Sequence, residues 1–195
     1  MRQAAWLPPL LWMGVILWLG SDTGSAERTG RLILPVLQFF FPTASPQQLD
    51  AIHGLLRKGG HVVEYGILAG LWVRALAAAA WPPPRAAVVA WIVAVAWAIV
   101  DETLQARVAS RGGSASDVAI DAAGALIVAL PAGAGDARAV EAATVALLWI
   151  AAIGGAALLA LDLALGVPTG VTWVTVPIAV VLLAVHRRRA RRPRS

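Results

Sequence analysis

Nine polar residues, several at helical spacing, form the part of this sequence that could do chemistry: Lys58, His61, Tyr65, Asp101, Glu102, Gln105, Arg111, Asp117 and Asp121. His61 and Tyr65 stand four residues apart, as do Asp101 and Gln105, and Asp117 and Asp121. Each pair therefore shares one helix face. A histidine near carboxylates can relay protons or grip a headgroup. Lys58 and Arg111 would supply positive charge for an anionic group, and His61, Tyr65 and Gln105 hydrogen bonds, with the acids holding them in place. Plainer readings stand beside these. His61 can be a helix-start histidine bonded to a carboxylate for packing alone. Ser114-Ala-Ser-Asp117 has the form of a capping box, which would explain Asp117 without any function. Asp101 and Glu102 can form an interfacial ion-pair network with Arg107 and Arg111. Glu64, three residues after His61, invites a metal set with Asp101 and Glu102, but no second histidine stands nearby. Neither a metal nor a cofactor is expected.

These residues must be positioned by helices in a membrane. Of the 195 residues, 59% are hydrophobic and only 14% charged, and mean hydropathy is +0.73. A soluble domain carries roughly a quarter charged residues. There are no cysteines, which excludes disulfides and thiolate chemistry. Six arginines fall in the last nine positions. A basic run directly after an apolar helix reads as a topology anchor on an anionic cytoplasmic leaflet, so nucleic acid is not an expected partner.

Apolar runs predict about six spans, near residues 4–20, 61–80, 86–104, 115–130, 139–161 and 170–185. The first could instead be a leader, because Gly24-Ser25-Ala26 resembles a small-residue cleavage site. Between the first two spans, residues 32–41 are too short to cross and are expected at the interface. Ser45-Pro46-Gln47-Gln48 then has the form of a capping box opening a short amphipathic helix. Gly66 and Gly70 form a G-x-x-x-G pair, and Gly124 lies three residues after Asp121, all suited to close helix contact. The tryptophans read mostly as interface belts or lipid-facing bulk. The expected architecture is an all-α, multi-pass bundle: one membrane domain over residues 1–186 and a basic tail over 187–195. Both termini are expected in the cytoplasm, with the nine polar residues gathered at the outer face.

The string Lys58-Gly-Gly-His61-Val-Val-Glu-Tyr65 resembles the K-x-x-H-x-x-x-Y signature of VanZ-like membrane proteins. Asp101-Glu102-Thr-Leu-Gln105, Arg111, and Asp117-Val-Ala-Ile-Asp121-Ala-Ala-Gly124 are similar, in order, to that family's remaining elements. The resemblance covers roughly residues 10–130. Arg57 stands where the family often has an acid, and Leu104 where a histidine or aromatic residue often precedes the glutamine. The resemblance implies an envelope role linked to glycopeptide (teicoplanin) resistance and names no reaction. No G-x-S-x-G or H-E-x-x-H motif is present. The expected function is therefore a non-enzymatic protein of the cytoplasmic membrane. Its partners would be membrane lipids, a cell-wall precursor or a glycopeptide. A membrane enzyme acting on a lipid-linked substrate is the alternative, and a transporter or scaffold stands behind it.

Overall fold

In a computed structural model, residues 3–21, 25–108, 113–165 and 172–190 are described, and among them the chain is all helix with no strand. After one 3-10 turn, seven helices follow: α1 (Leu7–Gly20), α2 (Ala26–Phe40), α3 (Pro46–Ala78), α4 (Pro83–Gln105), α5 (Ala115–Gly133), α6 (Ala137–Leu165) and α7 (Thr172–Ala190). The centre is a three-helix unit of α3, α4 and α5, with α6 packed on α3 and α5, α1 on α3 and α4, and α7 on α6.

Among the described residues, three helical stretches are long and apolar enough to cross a membrane: Pro83–Gln105, Ala115–Gly133 and Ala137–Ala157. The other expected spans differ in instructive ways. α1 has 14 residues, about 21 Å of helix against roughly 30 Å of hydrocarbon. Among the described residues of α7 the apolar stretch is Val176–Val185. α3 has length to spare at 33 residues, but Asp50, Arg57, Lys58, Glu64 and Arg74 interrupt its hydropathy. The expected amphipathic helix and second span are one continuous element. The capping box at its start does form: the Ser45 side chain accepts from the Gln48 N–H at 3.3 Å, and the Gln48 side chain accepts from the Ser45 N–H at 2.8 Å.

Polarity is turned outside in. Val88, Ile92, Ile99, Ile127, Leu130, Ile150 and Ile153 are exposed, whereas Tyr65, Asp101, Asp121 and Thr144 are buried. Apolar faces of this extent suit acyl chains rather than water. Helix approach depends on small residues. Ala90, Ala94 and Ala98 form a fully buried stripe along α4, the spacing that lets two backbones come close. A Cβ on Gly124 of α5 would stand 2.6 Å from the Val62 carbonyl oxygen of α3, so those helices touch backbone to backbone there. Gly66 and Gly70 make room for Leu147 and Thr144 of α6 in the same way.

Three of the nine tryptophans turn inward instead of joining an interface belt. Trp12 Nε1 donates to the Glu64 carbonyl at 2.9 Å, Trp91 Nε1 to Ala122 at 3.1 Å, and Trp97 Nε1 to Met13 at 3.2 Å. For these three indoles the acceptor is a carbonyl of a neighbouring helix, whereas the buried Trp72 Nε1 has none.

Candidate functional site

The middle of α3, the C-terminal turns of α4 and the first turns of α5 meet in one place. Their polar residues are brought together by the backbone approach at Gly124. His61 Nδ1 lies 3.0 Å from Asp121 Oδ1, spanning α3 to α5. Asp101 Oδ2 accepts from Gln105 Nε2 at 2.9 Å within α4, and from the Tyr65 hydroxyl of α3 at 3.4 Å, a long bond. Glu102 Oε2 accepts from the Ser114 backbone N–H at 2.7 Å, fixing the start of α5 to the end of α4.

That last bond corrects the capping-box reading of Asp117. In such a box the Asp117 carboxylate would take the Ser114 N–H, but Glu102 already holds it. The Ser114 side chain accepts from Ser116 N instead, leaving Asp117 half-buried and outside the cap. Lys58 is exposed to one side, and Arg111 lies outside the described residues. Thus His61, Tyr65, Asp101, Glu102, Gln105 and Asp121 form the cluster, while Lys58 does not enter it.

Three carboxylate oxygens in this cluster, Asp101 Oδ1, Glu102 Oε1 and Asp121 Oδ2, are buried without a hydrogen-bond partner. Among the described residues, no lysine or arginine forms an ion pair with these acids. Asp101 Oδ1 instead faces the end of α1, where a Cβ on Gly20 would come within 2.1 Å of it. Glycine at that position lets α1 close over the acid.

Beside the cluster opens a cavity of about 460 Å³ between α1, α2, α3 and α4. Its walls are apolar: Leu19, Ile33, Val36, Leu37 and Leu56. Arg57, His61, Glu64, Asp101 and Gln105 line it as well, together with Thr29. The Arg57 guanidinium donates to Thr29 Oγ1 at 3.3 Å, and Thr29 Oγ1 lies 3.1 Å from His53 Nε2. Burial, then the nearby Arg57 charge, push the pKa of His53 below its ordinary value, with Asp50 pulling the other way. Sequence spacing alone does not find this side of the site, because α2 reaches it through tertiary packing. Arg57 was visible only as a departure from a motif.

The model of the VanZ/LLP1 family matches residues 5–132, which takes in α1 to α5 and every described residue of the cluster. Neither the curated proteins nor the solved structures yield a match.

Proposed function

The chain belongs to the VanZ/LLP1 family, and on that premise we propose that it is an envelope protein of the cytoplasmic membrane that binds an amphiphile at the end of its central helices. The observation that carries this reading is the cavity itself, apolar along α1 and α2 and polar at Arg57, His61, Glu64, Asp101 and Gln105. A space of about 460 Å³ falls within the range of small-molecule sites, which combine apolar walls with a few orienting polar groups. Acyl or prenyl carbons fit the leucine-rich wall. Arg57 provides the cation for a phosphate or carboxylate, a role expected of Lys58 and Arg111. The arginine-rich tail favours a cytoplasmic carboxyl terminus, and an even number of crossings would put the amino terminus there too. The site would then face the extracytoplasmic leaflet, where lipid-linked cell-wall precursors and glycopeptides meet.

Teicoplanin susceptibility of a host expressing the protein tests the reading, with membrane insertion checked by immunoblot. Wild type is expected to lower susceptibility, and Arg57→Ala and His61→Ala to abolish that effect. Equal phenotypes for wild type and both inserted variants would remove the proposal. An enzymatic reading draws on one observation, the His61–Asp121 pair at the cavity edge, which has the form of an oriented general base. Turnover of an undecaprenyl-linked substrate by purified protein, lost in His61→Ala, would favour it.

A further inference from the structure

We propose that His61, Glu102 and Asp121 form a binding site for one divalent first-row metal ion. Each offers a donor atom, from α3, α4 and α5 respectively, and the three atoms lie within 4.8 Å of one another. A set of one imidazole nitrogen and two carboxylate oxygens suits zinc or manganese, and three protein ligands leave a coordination position open.

The second observation is independent of that convergence. Glu102 is 5% exposed and Asp121 0%, yet Glu102 Oε1 and Asp121 Oδ2 have no hydrogen-bond partner. The other oxygen of each is occupied, by Ser114 N and His61 respectively. A carboxylate buried with a bare oxygen is costly unless a cation or proton completes it. One divalent ion among these groups answers both oxygens at once, and the proton between His61 and Asp121 leaves as it binds. His61 also lines the cavity, so the ion sits next to that space. The proposal does not depend on what fills the cavity, because the metal alone is the probe.

Protein reconstituted in nanodiscs is stripped with a chelator and titrated with Zn²⁺ and, separately, Mn²⁺ by calorimetry, with metal content checked by mass spectrometry. Wild type should take up about one equivalent per chain. Glu102→Gln and Asp121→Asn should each weaken binding by at least the roughly 10–100-fold seen on losing an outer-shell partner of a ligand, while Glu141→Gln, on α6 beside the far end of α3, leaves it unchanged. Absence of saturable binding to wild type, or affinity retained in both cluster variants, overturns the proposal and assigns the bare oxygens to protons. Should the variants fail to fold, X-ray absorption on zinc-loaded wild type decides: a shell with a single imidazole and carboxylate oxygens supports the site, and any other shell overturns it.

Discussion

At one end of α3, Arg74 meets Glu141 of α6 across 2.6 Å with both side chains partly exposed, while about 20 Å further along the same helix His61 stands against three buried carboxylates. The first pair is neutral as a unit and partly exposed. The second group carries more acid than base and leaves three oxygens bare. Both arrangements tie α3 to a neighbouring helix, so helix association does not require the second. A bundle seeking only stability would repeat the Arg74–Glu141 solution. The polar cluster departs from it in the way that binding sites commonly do, holding groups in an unfavourable state until a ligand answers them.

Four substitutions break or sharpen that contrast. The largest effect is expected from Gly124→Val, since a side chain there meets Val62 backbone atoms at under 3 Å and those atoms cannot move aside. Forcing α3 from α5 should cost about 3 kcal/mol, seen as a lower thermal midpoint in detergent, and should separate His61 from Asp121. Asp101→Asn should act in the opposite direction. It keeps an acceptor for Gln105 and removes a buried charge, so unfolding should become harder by about 1–2 kcal/mol. A loss of stability there would mean that the cluster is as well satisfied as the far end. Glu141→Gln is expected to cost less than about 1 kcal/mol, because partial exposure screens the ion pair. A comparably small change, of opposite sign, is expected from Gly59→Ala, where nothing lies within 4 Å of the added carbon; removing one helical glycine should raise stability by about 0.5–1 kcal/mol.

Much of the cluster was legible in the sequence because helical spacing is a local property. His61 with Tyr65, and Asp101 with Gln105, follow from the 3.6-residue repeat, and small residues marked where the backbones meet. Other features needed three dimensions. The Ser114 N–H has two candidate acceptors, Asp117 in sequence and Glu102 in space, and only packing shows that Glu102 takes it. Trp12 and Trp97 look like belt residues until their acceptors on other helices are placed. The amphipathic helix and the second span, expected as two elements, join without a break through Gly59-Gly60, where α3 runs on as one helix. The number of crossings was the least legible, since α1 is short and α3 too polar to declare themselves by hydropathy.

That glycine pair divides the rim of the cavity, with Arg57 one side of it and His61 on the other. Nothing lies within 4 Å of a Cβ at either position, so no neighbouring helix dictates glycine at the point where the guanidinium and the imidazole part company. The helix itself therefore sets the span between the two groups, and alanine at either position would leave the walls of the cavity untouched.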